Sequence, residues 1–235
     1  MIPKQIFYVW LGGKPIPEVY LQNVNHWQVL EPDYKVIRID ETNFDMIKYP
    51  IVKKLIEQKA YAFASDIVRL VTLYENGGVY LEHDLKLIKP IDDLLVNERV
   101  VFALEASGVV GNGGFFAAEQ ASPILKSLID DLIQHYEDQT ILTPIHGPRM
   151  LTEFLTKRGL SKRNQNQQLQ EITILATEYF APFHFWGGGC VTDKTYGIHQ
   201  YSGSWTNSNN KCRRWARYVK RETLEIIRNF GLVSK

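Results

Sequence analysis

The apolar run Gln5–Leu11, the helix-spaced stretch Pro17–Leu30 and the alternating Tyr34–Ile39 follow one another as strand, helix and strand. That order constrains the chain most, because parallel strands need a crossover and a helical crossover implies an α/β fold. Pro17 stands near the helix start and Pro32 beyond its end, the positions a helix tolerates, and Gly12-Gly13 close the first strand with a tight turn. The apolar spacing further predicts helices over Ile51–Lys59, Ala60–Tyr74, Pro123–Tyr136 and from Pro148 onward. It predicts short buried strands at Val79–Leu81, Val100–Leu104 and Ile172–Leu175. Lys162–Gln170 is polar and aperiodic and reads as an exposed loop. After Ile172–Leu175 the chain turns aromatic and glycine-rich, through Phe180–Trp186 and Gly187–Gly189, and reads as loop-rich.

A chain of 235 residues, 45% of them hydrophobic, can bury a sizeable core. With no repeats and no linker, the expectation is a single domain over 1–235. No apolar run approaches the length of a membrane-spanning helix, and MIPKQIFYVWLGG does not read as a signal peptide, so the expected compartment is the cytosol. Cys190 and Cys212 are too few for a disulfide framework and read as free thiols. Charge is uneven: Lys211–Lys235 holds eight Lys/Arg against two Glu, in a chain of formal net charge +1. Trp215, Tyr218, Val219, Ile226 and Phe230 fall near one helical stripe in that tail. It reads either as a helix docked on the core or as a basic amphipathic helix at the inner face of an anionic membrane.

The chemistry concentrates in Ala62–Pro90. Asp66 and Arg69 share one helix face at a spacing of three, and Gly77-Gly78 end that helix. After the Val79–Leu81 strand come Glu82, His83 and Asp84. On an extended backbone Glu82 and Asp84 project to the same side, a pair suited to Mg²⁺ or Mn²⁺, which prefer oxygen ligands shared with substrate phosphates. Open α/β sheets bind ligands beyond the carboxyl ends of their strands, which puts Gly12-Gly13 and Glu82-His83-Asp84 on one edge. Trp10 and Tyr8 offer a flat face there for a base. Asp66 suits a ribose hydroxyl and Arg69 a phosphate. His199, Ser204 and Trp205 lie close together near the C-terminus and bring an imidazole ligand and phosphate donors. The sequence has no GxGxxG, P-loop or G-x-S-x-G motif, which speaks against a Rossmann dinucleotide site, a P-loop NTPase and a hydrolase triad.

Four blocks together resemble glycosyltransferase family 32, the DXD-motif sugar transferases related to the glucosylating bacterial toxins. They are Ile2–Ile6 with Trp10–Gly13, Ala64–Asp66 and Arg69 through Tyr80 and Asp84, His146-Gly147-Pro148, and Ile198-His199 with Ser204-Trp205. The resemblance implies a GT-A-type nucleotide-sugar-binding mixed sheet flanked by helices. It implies a UDP-sugar donor, a Mn²⁺ or Mg²⁺ ion and transfer with retention of configuration. On these positions Trp10 stacks on uracil, Asp66 binds ribose or donor-sugar hydroxyls, and Arg69 reaches the donor sugar or diphosphate. Asp84 and His199 ligate the metal, Glu82 acts on the metal's water or the ribose, Asn112 contacts donor sugar or acceptor, and Ser204 and Trp205 stabilise the leaving group. Two positions depart from the family pattern. Glu82 stands for the usual Asp, and His146 for the usual threonine.

The function expected is a metal-dependent transfer of a hexose or N-acetylhexosamine from a UDP-sugar to a lipid-linked oligosaccharide, in capsule, O-antigen or exopolysaccharide synthesis. Front-face attack is the expected mechanism, with Glu105 and Asn112 the nearest groups for the opposite sugar face. The competing readings are a non-catalytic sugar-binding module of the same fold and a nucleotidyltransferase making UDP-sugars.

Overall fold

The computed structural model describes residues 1–111, 113–138, 146–184 and 188–202. The elements are β1 (Gln5–Val9), α1 (Glu18–Leu30), β2 (Lys35–Ile39), α2 (Pro50–Glu57), α3 (Tyr61–Asn76), β3 (Gly78–Leu81), β4 (Leu85–Leu87), β5 (Val100–Ala106) and β6 (Val109–Val110), followed by β7 (Phe115–Ala118), α4 (Pro123–Asp138), α5 (His146–Thr156), β8 (Gln167–Leu169), β9 (Ile172–Leu175), α6 (Thr177–Phe180) and β10 (Gly197–His199).

Strand order in the main sheet is β2-β1-β3-β7-β5-β9-β8, with β6 on β5. The expected parallel β1–β2 pair is present, and β3 joins β1 in parallel. β7 runs antiparallel between β3 and β5, which makes the sheet mixed. The alternation along each strand explains the layering. Phe7, Val9 and Tyr80 enter the core beneath α2, α3, α4 and α5. Ile6, Tyr8, Val79 and Leu81 enter the opposite core, with Trp27 of α1 and Phe180 of α6. Both faces are thus covered, as expected where crossover helices flank a sheet.

Gly77 and Gly78 join α3 to β3 at φ of +67° and +118°, the left-handed region that favours glycine. Space also requires them, since a Cβ on Gly77 would stand 2.7 Å from Pro3 Cδ and one on Gly78 2.7 Å from the Gln5 carbonyl oxygen. This turn locks the end of the site-bearing helix to the central strands.

Three sequence expectations change. Within the expected loop Lys162–Gln170, Gln167–Leu169 forms an edge strand on β9, reversing through Gln170 at φ +53°. An edge strand needs backbone partners rather than an apolar face, so its polar sequence hid it. The C-terminal third also holds more order than expected, because β10 pairs antiparallel with β4. Finally, Glu82–Asp84 is not extended. Leu85 N–H donates to the Glu82 carbonyl at 2.8 Å, so the segment turns. Trp186 and the basic tail Lys211–Lys235 lie outside the described residues.

Candidate active site

The C-terminal ends of the parallel strands β1, β3 and β5 deliver Trp10, Glu82 and Glu105 to one edge of the sheet. Glu82 N–H donates to the Gly114 carbonyl at 3.1 Å, which brings the glycine run before β7 to the same edge. The β4–β10 pair adds the last piece. His199 lies in register with Leu85, and Gln200 N–H donates to the Asp84 carbonyl at 3.0 Å.

Two linked clusters result. In the first, Arg69 is 7% exposed and gives its Nη1 to Glu82 Oε2 at 3.2 Å and its Nη2 to Asp66 Oδ1 at 3.6 Å. Its Nε and Nη2 also donate to the carbonyl and hydroxyl of Ser65 at 3.0 and 2.8 Å, one helical turn back. The guanidinium lies 4.9 Å over the Tyr80 ring, whose hydroxyl donates to Glu82 Oε2 at 3.0 Å. Tyr136 of α4 donates to Asp66 Oδ2 at 2.9 Å. Burial disfavours the Glu82 charge, but Arg69 and His83 outweigh it and hold its pKa below the usual value. The expectation that Asp66 and Arg69 share a face holds, and Tyr80 and Tyr136 are partners the sequence reading missed. Nothing in the spacing of Tyr136 within an amphipathic helix separates it from a core residue.

In the second cluster, Asp84 is buried and accepts from both the backbone N–H and the hydroxyl of Ser202 at 2.7 Å. His199 Nε2 stands 3.2 Å from Asp84 Oδ1, and His199 Nδ1 stands 3.5 Å from Glu105 Oε1. Burial opposes the imidazolium, yet Asp84 and Glu105 prevail and raise the His199 pKa to about 9. Burial likewise works against the Asp84 charge, and His199, His83 and Ser202 hold that carboxyl well below the carboxylate range.

This second cluster fits a divalent cation. Asp84 Oδ1 is buried and, beyond its 3.2 Å ion pair with His199 Nε2, makes no hydrogen bond among the described residues, and a carboxylate oxygen suits Mg²⁺ or Mn²⁺. No group of three or more such side chains stands in ligating array among the described residues. Two protein ligands, with water and diphosphate oxygens completing the shell, is the usual pattern for such ions.

Trp10 follows β1, half-buried. Its indole N–H donates to the Lys14 carbonyl at 2.6 Å, and its ring meets His83 edge-on at 5.1 Å and Tyr20 at 6.0 Å. Tyr8 instead belongs to the core, edge-on to Trp27 at 6.1 Å, and offers no face to a base. Gly12 N–H donates to Glu41 at 2.5 Å, which fixes the turn after Trp10. Asn112, Ser204 and Trp205 lie outside the described residues, as does the side chain of His146.

The model of the glycosyltransferase sugar-binding region containing the DXD motif matches residues 17–101, and that of the alpha 1,4-glycosyltransferase conserved region matches residues 117–214. The chain is 30% identical over 135 residues to inositol phosphoceramide mannosyltransferase 3 of Schizosaccharomyces pombe, covering 56% of this chain and 37% of that one. It is 26% identical over 123 residues to human alpha-1,4-N-acetylglucosaminyltransferase, covering 52% and 33%. The solved PaToxG glycosyltransferase shares the fold at a TM-score of 0.55 and 20% identity, over 66% of this chain and 68% of that one. The fold is thus the mixed α/β architecture of GT-A glycosyltransferases. Over those two matched stretches the chain is similar to glycosyltransferases of the DXD-motif and alpha 1,4 kinds. It spans about a third of the length of the two curated relatives named.

Proposed function

We propose that this chain transfers a sugar from a nucleoside diphosphate sugar, a UDP-sugar foremost, to a hydroxyl of a glycan acceptor. The observation that carries the reading is the Asp84–His199 pair, at 3.2 Å, on the same sheet edge as the Asp66–Arg69–Glu82 cluster. That supports a cation and diphosphate site beside one for sugar hydroxyls, in a chain matched by two glycosyltransferase models.

In this reading Asp84 and His199 would hold Mn²⁺ or Mg²⁺, which would supply positive charge to offset that of a leaving diphosphate. Trp10 stacks on the base, with its ring plane braced by His83 and Tyr20. Asp66 accepts from hydroxyls of the ribose or donor sugar. Arg69, already tied to Ser65, Asp66 and Glu82, holds both carboxylates in place and directs its remaining field toward the donor. Glu82 completes the hydroxyl-binding wall. Ser204 and Trp205 act on the leaving group, and Asn112 on the sugar or acceptor. Configuration is retained through front-face attack, in which the leaving phosphate takes the acceptor's proton. The acceptor is a lipid-linked oligosaccharide of capsule, O-antigen or exopolysaccharide synthesis, and the basic tail Lys211–Lys235 holds the single catalytic domain at the inner membrane face. Among the described residues no helix is long and apolar enough to cross a membrane.

Radiolabelled UDP-glucose, UDP-galactose, their N-acetyl forms and GDP-mannose, each offered with Mn²⁺, test the reading. Release of free sugar and nucleoside diphosphate from one donor supports a transferase. Synthesis of UDP-sugar from UTP and sugar phosphate would make the chain a nucleotidyltransferase, and tight binding without turnover a binding module.

A further inference from the structure

The geometry points to Glu105 as a positioning residue for His199: its carboxylate accepts the Nδ1–H and so aims Nε2 at the cation position shared with Asp84. The proposal rests on the cation site described above and goes beyond it by naming what orients that site.

Three observations converge on Glu105. His199 reaches the site on a short strand from one part of the chain and Glu105 from the end of β5, yet Nδ1 and Oε1 stand 3.5 Å apart. Nδ1 is buried and has no hydrogen-bond partner among the described residues, so Glu105 is the acceptor within reach. An imidazole that ligates through one nitrogen carries its proton on the other, and an acceptor there fixes both tautomer and ring orientation.

The glycine run before β7 supplies the third. A Cβ on Gly111 would stand 2.0 Å from the Glu105 carboxyl, and one on Gly114 3.5 Å from His199 Nδ1 and 3.9 Å from Glu105 Oε1. Neither glycine has a positive φ, so conformational freedom does not require them. At Gly111 the missing side chain leaves the space that the Glu105 carboxyl occupies in this arrangement, whereas a Cβ at Gly114 would make only ordinary contact. Phe115 and Phe180, stacked at 3.9 Å, line the same recess from below.

Binding of Mn²⁺ by the full chain, followed through the electron paramagnetic resonance of the free ion with and without UDP, tests the proposal. Glu105→Gln should weaken Mn²⁺ binding by about 10- to 100-fold, the usual effect of losing an outer-shell partner, with the melting temperature in EDTA unchanged. Glu105→Asp, which keeps the charge and shortens the reach, should fall between, and it carries the test should the Gln variant fail to fold. In a His199→Ala background Glu105→Gln should change binding by less than about twofold, because a residue acting through His199 has nothing left to act on. Unchanged Mn²⁺ binding in folded Glu105→Gln overturns the proposal. So does a full additional loss in the His199→Ala background, which would make Glu105 a ligand itself. If Asp84→Asn and His199→Ala both leave Mn²⁺ binding unchanged, or the wild-type chain binds none, the cation site itself falls.

Discussion

Tyr136→Phe removes one oxygen atom from the interior and isolates the link between α4 and Asp66. The ring is 2% exposed and its hydroxyl donates to Asp66 Oδ2 at 2.9 Å. Its packing against Phe63, edge-on at 5.6 Å, survives the change, so no large cavity opens. A buried hydrogen bond to a charged acceptor contributes about 1.5–3 kcal/mol, against about 0.5–1.5 kcal/mol for a neutral pair. For a chain of this size that loss lowers the melting temperature by about 3–12 °C. Urea denaturation should show a lower midpoint at constant slope. In an Asp66→Asn background the same substitution should cost about 1 kcal/mol less, the difference being the coupling of hydroxyl to carboxylate. Steady-state kinetics should show a fall in kcat/KM for the donor, because the Asp66 carboxylate loses a fixed partner. A loss below about 0.5 kcal/mol, or an equal loss in both backgrounds, refutes the reasoning.

Three further outcomes test other parts of the structure. Gly78→Ala should destabilise the chain far more than Gly13→Ala, by circular dichroism melting. Both glycines have positive φ, but only at Gly78 does a Cβ meet backbone, at 2.7 Å from the Gln5 carbonyl oxygen, whereas Gly13 has nothing within 4 Å and costs about 1–2 kcal/mol for strain alone. Asp92, bonded by Lys4 Nζ at 2.7 Å and Tyr34 OH at 2.6 Å, has its pKa lowered by both. A depressed carboxyl stabilises the fold above its unfolded pKa and loses that contribution as pH falls through the folded one. The stability gap between wild type and Asp92→Asn should therefore be present at neutral pH and close on acidification below about pH 4, and a gap that persists there would contradict the assignment. Trp10→Ala should weaken UDP binding in calorimetry by about 5- to 150-fold, the equivalent of the 1–3 kcal/mol of base stacking on an aromatic ring. An unchanged affinity would remove Trp10 from the site.

Local pattern carried the elements whose side chains alternate or recur at helical spacing. The β1-α1-β2 unit, α3 with its Gly77-Gly78 stop and the strand after it are all legible, because each has a buried face with a regular period. Asp66 and Arg69 are legible as a pair for the same reason. What stayed hidden depends on contacts distant in sequence. β8 is polar because edge strands need only backbone partners, and β10 exists through its pairing with β4. The turn at Glu82–Leu85 separates two carboxylates that an extended strand would have aligned, sending Glu82 to Arg69 and Asp84 to His199. Tyr136 and Tyr80 look like ordinary core aromatics until their hydroxyls are seen to meet Asp66 and Glu82.

The proposed role of Asp84, with His199, is to serve the diphosphate of a nucleotide sugar. Its most direct test is release of UDP from the preferred UDP-sugar, measured with Mn²⁺ and with EDTA, for wild type and Asp84→Asn. The account predicts turnover that EDTA abolishes and a fall of at least about 10²- to 10³-fold in a folded Asp84→Asn chain, the scale of losing one electrostatic stabiliser of a transition state. Wild-type turnover by Asp84→Asn, or turnover indifferent to EDTA, contradicts it.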